Sequence, residues 1–262
     1  MANYIFMKNF GIIGFPLNSS FSRNLFNEKF EKEKIKARYD LCPIENIELF
    51  PALIRKTQFS GMNVTIPYKQ AVIPYLSALD ETAREIGAVN VIRFEYYPCG
   101  TPRSTTGYNT DATGFERSLL PLLKPQHNRA LILGTGGASK AVACILRKNG
   151  IEFAFVSRTK NNSCHCGLDP QSPRITYNEL TREIIEANTL IINTTPLGMY
   201  PPDSCPDIPY QYLTDRHLLY DLVYNPAKTV FLAKGEERGA AIKNGLEMLY
   251  GQAAAAWEIW NK

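Results

Sequence analysis

The sequence predicts an α/β chain in two lobes, and three observations carry that prediction. Short apolar strands alternate with helical patterns from residue 10 to about residue 94. A second alternation opens with "RALILGTGGASKAVACILRKNG", which reads as a buried strand, a glycine-rich turn and a helix. The chain then finishes on a helical pattern, "GLEMLYGQAAAAWEIW", read as crossing back to the first lobe. The expected division is residues 1–110, residues 111–244 and a returning helix at 245–262, with no internal repeat.

Each element follows from local pattern. Residues 10–14 (FGIIG) are a short apolar strand, and Ser22 reads as the N-cap of a helix through Leu25, Phe26 and Phe30. Strands are expected near 37–42, 60–66 and 88–94, with helices near 45–56, 68–78 and 80–86 between them. Residues 95–108, rich in Tyr, Gly, Pro, Ser and Thr, read as a hairpin or loop, and a helix begins near Asp111 in "DATGFERSLL". After "KPQHN" comes the second lobe. Gly150 closes the helix behind its glycine-rich turn. The next strand is "IEFAFVSRT", and "TLIINTTPLGM" and "HLLYDLVYNP" are two more, each ending in a polar turn.

Composition narrows the classes of function. The 262 residues suffice for two ordinary domains, and 45% hydrophobic with 21% charged residues is globular composition. The formal charge is only +4, and "EKFEKEKIKAR" alternates in sign like a solvated helix face, so no nucleic-acid partner is expected. No run reaches the roughly 18 apolar residues of a membrane span, so no membrane partner is expected either. "MANYIFMKNFGIIGFP" reads as a first strand rather than a signal peptide. The six cysteines, Cys42, Cys99, Cys144, Cys164, Cys166 and Cys205, are scattered, which suits a reducing cytoplasm.

Chemistry becomes specific at the glycine-rich turn. Gly134, Gly136 and Gly137 stand where a buried strand gives way to a helix. Glycine permits φ > 0 there and lets the backbone approach a pyrophosphate, which the free N–H groups and dipole of a helix start attract. The run G-T-G-G-A-S, with Thr135 and Ala138 inside it, approximates the G-x-G-x-x-G/A fingerprint of a Rossmann-like dinucleotide lobe, with Ser139 at the third small position. Alone, such a turn is weak evidence, since a glycine-rich turn can also merely pack a helix on a strand. The following strand bears on the cofactor. NAD sites place an acidic residue about 20 positions on, to bind the ribose 2′-hydroxyl. Here that place holds "VSRTK". Arg158 and Lys160 cannot accept that hydroxyl's hydrogen, but they can pair with a 2′-phosphate. NADP is therefore the expected cofactor, although Arg158 by itself also fits an exposed turn arginine.

A second polar cluster lies in "SGMNVTIPYKQ", residues 60–70. Val64 and Ile66 alternate with Asn63 and Thr65, Pro67 stops the pattern, and Lys69 follows. An amide, a hydroxyl and an ammonium at one strand end are odd for plain scaffold. Other stretches complete a pattern: "GFPLNSSFSRNLFN" at 14–27, "GAVN" at 87–90, "GYNTDATGF" at 107–115 and "GTGGAS" at 134–139. It continues through "SRT" at 157–159, "NTTPLGM" at 193–199, "DLVYNP" at 221–226 and "GLEMLYGQAAAAW" at 245–257. In order and spacing the chain resembles the shikimate dehydrogenases over nearly its whole length.

The resemblance implies a first lobe that binds 3-dehydroshikimate or shikimate and a second, Rossmann-like lobe that binds NADP(H). It places the chain in the shikimate pathway of aromatic amino acid biosynthesis. It also implies that Lys69 and Asp111 are the catalytic pair flanking the oxygen that passes between ketone and alcohol. Hydride reduction of a ketone builds negative charge on that oxygen, which needs an electrostatic partner and a proton source; a lysine supplies both. Read alone, Lys69 is a solvated lysine at a helix start and Asp111 an N-cap. By the same resemblance Ser20 and Ser22 hold the substrate carboxylate. Asn63, Thr65, Asn90 and Gln252 bond the ring hydroxyls, with Tyr224 nearby. For the cofactor it implies the turn Gly134, Thr135, Gly136, Gly137 and Ala138, and the run Ser157, Arg158, Thr159 and Lys160. Asn193, Thr194, Leu222 and Gly245 join them. No metal is expected, and the assembly expected is a monomer or homodimer.

Some positions depart from the family pattern. Ser19 stands where histidine is usual, Arg23 replaces a proline, Val91 follows Asn90 where threonine is common, and Tyr108 precedes "NTD" where a smaller or charged residue is frequent. Asn162 occupies the place of a second basic residue of the phosphate clamp. "NNSCHCGLDPQSPRI" looks like an insert. Its Cys164, His165 and Cys166 suggest zinc, yet structural zinc wants four ligands and no second pair lies nearby, so a solvent loop is expected. Two alternatives stand beside the main assignment. One is a quinate/shikimate dehydrogenase using NAD or NADP, against which Arg158 speaks. The other is a non-catalytic nucleotide sensor on the same fold, against which retention of Lys69 and Asp111 speaks.

Overall fold

The computed structural model describes residues 7–159, 172–199 and 204–262. The chain divides into two compact units, Met1–Thr110 with Ala253–Lys262, and Asp111–Gln252.

The first unit contains β1 (Lys8–Gly14), α1 (Phe21–Lys32), β2 (Ala37–Pro43), α2 (Phe50–Lys56), β3 (Phe59–Val64), α3 (Tyr68–Ala71), β4 (Ala78–Leu79), α4 (Glu81–Ile86), β5 (Val91–Tyr96) and β6 (Pro102–Tyr108). Its strands form one mixed sheet of order β2-β1-β3-β5-β6-β4. β1 is parallel to β2 and β3, whereas β5 is antiparallel to β3 and β6. The carboxyl ends of β1 and β3 therefore lie level with the start of β5, where Asn63 pairs with Val91. The two-residue period of a strand sends alternate side chains to opposite faces. Phe10, Ile12 and Val91 join one buried cluster with Phe26, Phe30 and Tyr39; Ile13, Met62 and Ile92 join the other with Phe50 and Val72. Burying a side chain such as Phe10 is worth about 1.5–3 kcal/mol. Trp260 closes the first cluster, its ring 5.0 Å from Phe10 and its indole N–H donating to the Ile92 carbonyl at 3.1 Å. Gly61 makes room for it, because a Cβ there would overlap the indole.

Three local expectations need correction. Ser20, not Ser22, is the N-cap of α1, extended at φ −151° and ψ 134°, and Ser22 lies inside the first turn. The helix expected over 68–78 stops at Ala71 and gives way to a 3-10 turn over Ile73–Tyr75, because Pro74 lacks an N–H and its ring crowds the preceding turn. The strand expected from residue 88 starts at Val91, since the Val89 N–H turns aside to donate to the Lys69 carbonyl at 2.7 Å. By contrast α4 has its ordinary signals: Asp80 accepts from the Ala83 N–H at 2.9 Å, and Gly87 ends the helix at φ 65°. Residues 95–108 form the expected hairpin, with β6 as its second arm.

The remaining elements are α5 (Thr110–Leu119), β7 (Arg129–Leu133), α6 (Gly137–Lys148), β8 (Glu152–Ser157), β9 (Arg174–Thr176), α7 (Arg182–Ala187), β10 (Leu190–Asn193), β11 (Leu218–Asp221), α8 (Val230–Glu236), β12 (Ala241–Lys243) and α9 (Leu246–Trp260). The strands of the second unit are all parallel, in the order β12-β11-β10-β7-β8-β9. Its central strands carry buried apolar runs, residues 130–133, 190–192 and 218–220, as a parallel sheet covered on both faces requires. β9 makes strand of the last residues of the stretch read as a solvent loop; residues 160–171, with Lys160, Asn162, Cys164, His165 and Cys166, lie outside the described residues. The returning helix α9 is shared between the units, the division falling after Gln252 rather than at 245. Its first half belongs with α5, since a Cβ at Gly114 would overlap the Met248 carbonyl and crowd the Gln252 nitrogen. Among the described residues no helix is long and apolar enough to cross a membrane.

Candidate functional site

In the first unit the polar residues gather at one sheet edge. Asn63 is the penultimate residue of β3 and Asn90 precedes β5, and the antiparallel register brings them together: the Asn63 Nδ2 donates to the Asn90 carbonyl at 3.2 Å. The Tyr39 hydroxyl donates to the Asn63 Oδ1 at 2.6 Å, and Ser22 hydrogen-bonds the same hydroxyl. Burial holds the Tyr39 hydroxyl well above its ordinary range, which the Ser22 bond partly offsets. At the other end of the row the Asn90 Nδ2 donates to the Thr110 Oγ1 at 3.0 Å, and the Asn90 Oδ1 accepts the Thr110 N–H at 2.7 Å. A continuous ladder thus runs Ser22, Tyr39, Asn63, Asn90, Thr110. All five are buried, so each polar atom left without a partner would carry a desolvation cost.

Beside this ladder lie the half-buried Ser20, Thr65 and Lys69. Thr65 follows β3 and its N–H donates to the Ile13 carbonyl at 2.9 Å. Gly14 leaves space for it, because a Cβ there would overlap the Thr65 side chain. Lys69 is carried by α3, immediately after Pro67 ends the strand pattern. Tyr39 and Thr110 are members that the sequence pattern did not reveal. Tyr39 looks like an inward strand tyrosine, and its partner Asn63 is 24 residues away.

The second unit holds the other predicted residues. Asp111 is half-buried in the first turn of α5, Gln252 is buried in α9, and Tyr224 is exposed after β11. At the carboxyl edge of the sheet the chain leaves β7 in one direction for β8 and later returns to its other side as β10. That reversal of strand order is where open parallel sheets bind ligands. Gly134 ends β7 at φ 104°, a conformation that only glycine adopts without strain, and a Cβ there would come within 2.9 Å of the Thr194 Oγ1. The same Thr194 hydroxyl donates to the Leu133 carbonyl at 2.7 Å. Gly245 packs against Leu222, where a Cβ would overlap the Leu222 carbonyl.

Asn193, which the resemblance places at the cofactor, uses its side chain within the protein. Its side chain is fully buried, and both amide hydrogens and its oxygen are taken: Nδ2 donates to the Leu197 carbonyl and the Asp221 Oδ1, while Oδ1 accepts from the Thr195 N–H and hydroxyl. It shapes the loop and presents no free side-chain group to a ligand. The Ser157 hydroxyl is likewise used within the protein, donating to the Thr159 carbonyl at 2.7 Å, while Arg158 and Thr159 are exposed. Arg158 lies near enough to Tyr177, at the end of β9, for its charge to oppose the upward push of burial on that phenol.

The residues fit a dinucleotide. At Gly136 and Gly137 a Cβ would meet nothing within 4 Å, so the protein's own packing gives no reason for glycine there, whereas a ligand lying on the backbone does. No side chain caps the start of α6, which leaves its first N–H groups to an anion. The exposed Arg158 supplies positive charge at the next strand end.

Residues 12–92 match the family model described as the shikimate dehydrogenase substrate binding domain. The chain is 36% identical over 259 residues to the shikimate dehydrogenase (NADP(+)) of Clostridium beijerinckii, covering 98% of this chain and 93% of that one. The chain belongs to the shikimate dehydrogenase family. Among solved structures, shikimate dehydrogenase from Aquifex aeolicus superposes with a TM-score of 0.84 at 34% identity, covering 100% of this chain and 94% of that one. The Thermus thermophilus shikimate 5-dehydrogenase, solved in complex with NADP(H) and shikimate, gives a TM-score of 0.82 at 29% identity and covers 97% and 93%. Membership in this family makes the chain an NADP-linked oxidoreductase of the shikimate pathway.

Proposed function

We propose that the chain catalyses the reversible reduction of 3-dehydroshikimate to shikimate, with Lys69 as acid/base and Asp111 as its partner carboxylate. The observation that carries this reading is the buried hydrogen-bond ladder at the edge of the first sheet, flanked by Thr65 and Lys69 in a chain of this family. Bound NADPH supplies the hydride. The protein's task is to hold the ring by directional polar groups and to answer the charge that grows on oxygen. Asn63, Thr65, Asn90 and Gln252 suit the ring hydroxyls, and Ser20 and Ser22 suit the carboxylate. Hydroxyls donate to a carboxylate without the burial of an arginine's charge. Lys69 stabilises the developing alkoxide and passes it a proton. Asp111 opposes the fall in ammonium stability that desolvation alone would cause.

On the cofactor side the Gly134–Ala138 turn suits the pyrophosphate, and Ser157, Arg158 and Thr159 suit the 2′-phosphate. Thr194, Leu222 and Gly245 line the adjoining strand ends. Lys160 is a second candidate cation by sequence alone. The described cysteines Cys42, Cys99, Cys144 and Cys205 are free thiols, in keeping with a cytoplasmic enzyme, and a monomer or homodimer is the assembly proposed.

Shikimate oxidation with NADP, followed by NADPH absorbance, tests this reading. Lys69→Ala is expected to lower kcat by on the order of 10²–10³ while leaving shikimate affinity nearly intact. A variant with near-wild-type kcat would remove Lys69 from the chemistry.

A further inference from the structure

Asp221 has no place in the chemistry above, yet among the described residues it is the most completely enclosed carboxylate at the second sheet edge. It ends β11, is fully buried, and accepts three hydrogen bonds. The Asn193 Nδ2 and the Val223 N–H donate to its Oδ1 at 2.9 and 3.0 Å, and the Thr229 hydroxyl donates to its Oδ2 at 2.6 Å. Each donor belongs to a different piece of chain. Asn193 organises the loop after β10 through Thr195 and Leu197; Val223 belongs to the turn that carries Leu222; Thr229 caps α8, its Oγ1 accepting from the Leu232 N–H at 3.4 Å. Thr229 also abuts Gly198, whose Cβ would lie 3.1 Å from it. Burial pushes the Asp221 carboxyl up to about 6, while these donors favour its charged form.

We propose that Asp221 is a positioning residue for cofactor binding, fixing the loop that carries Thr194 and the turn that carries Leu222 in one relative geometry. The proposal rests on the assignment of the NADP site to these strand ends. Removing the carboxylate leaves three buried donors without an acceptor, and the two segments lose their common anchor. Asparagine restores much of the arrangement. Its Oδ1 accepts from Asn193 and Val223, and its amide donates to the Thr229 oxygen.

The test compares Asp221→Leu, Asp221→Asn and wild type as full-length chains. NADPH binding is measured by fluorescence titration, with KM for NADP and for shikimate taken at saturating co-substrate. Asp221→Leu is expected to raise the NADP KM roughly ten- to a hundredfold. Its shikimate KM and its kcat at saturating NADP should stay close to wild type, and Asp221→Asn should recover most of the loss. A purely structural role would lower the folded fraction without separating the two KM values. An unchanged NADP KM in folded Asp221→Leu overturns the proposal, as does Asp221→Asn behaving like Asp221→Leu. Should Asp221→Leu fail to fold by circular dichroism, Thr229→Ala decides. A smaller rise in NADP KM supports the proposal, and no rise overturns it. Absence of NADPH binding by the wild-type chain would instead overturn the cofactor assignment, and the positioning role with it.

Discussion

The two sheets present polar edges of opposite construction. At the first edge, side chains point at one another: a serine, a tyrosine, two asparagines and a threonine form a buried ladder. At the second edge the backbone does most of the presenting, through a left-handed glycine, an uncapped helix start and strand-end loops packed where no Cβ fits. The difference suits the ligands proposed for the two edges. A ring bearing several hydroxyls is told from its relatives by directional side-chain donors and acceptors, since a mismatch leaves a buried polar group unpaired. A dinucleotide is held largely through phosphates, which any well-placed N–H can bond, and charge is needed only where NADP differs from NAD. The first edge should therefore be sensitive to atoms removed, and the second to atoms added.

The sharpest way to break this contrast is to add single methyl groups to the second edge. Gly245→Ala would drive a Cβ into the Leu222 carbonyl, backbone that cannot swing aside, and should cost about 1–3 kcal/mol in thermal unfolding. Gly136→Ala meets nothing within 4 Å, so its stability should stay within about 0.5 kcal/mol of wild type while its NADP KM rises. If Gly136→Ala bound NADP normally, the turn would be packing and not a cradle.

A smaller effect is expected from an atom removed at the first edge. Tyr39→Phe deletes the hydroxyl between Ser22 and Asn63 and should cost about 0.5–1.5 kcal/mol of stability. Its shikimate KM should rise severalfold with the NADP KM unchanged. A shift in the NADP KM instead would mean that the ladder does not serve the substrate edge alone.

These cases show why parts of the molecule were legible in its sequence and others were not. The alternation of strand and helix, the glycine turn and the Asp80 and Gly87 caps act within a few residues, so local pattern reveals them. Short elements escape for the same reason. β4 and β12, of two and three residues, are too brief to show a period. α8 had usable signals in the Thr229 cap and the left-handed Gly239, though its seven residues are few. Lys69, Asn63 and Asn90 stand out in the sequence only because their neighbours repeat a family pattern. Tyr39 and Asp221 carry no such local signal, because their hydrogen-bond partners are brought to them by the fold, 24 residues distant for Tyr39 and 28 for the Asn193–Asp221 bond. The sequence position of Asn193 likewise says nothing of how completely its amide is used inside the loop.

Cofactor discrimination offers the most direct test, because positive charge for the 2′-phosphate must come from a side chain, and Arg158 is exposed at this edge. Initial rates of shikimate oxidation with NADP and with NAD, side by side, give kcat/KM for each cofactor in the wild-type chain and in Arg158→Ala. The wild type should prefer NADP. Arg158→Ala should lose charge-assisted bonds of about 1.5–3 kcal/mol with NADP only, a drop in preference of roughly 10- to 150-fold. Equal losses with both cofactors, or a wild-type preference for NAD, would contradict the assignment of Arg158 to the 2′-phosphate and of NADP to this edge.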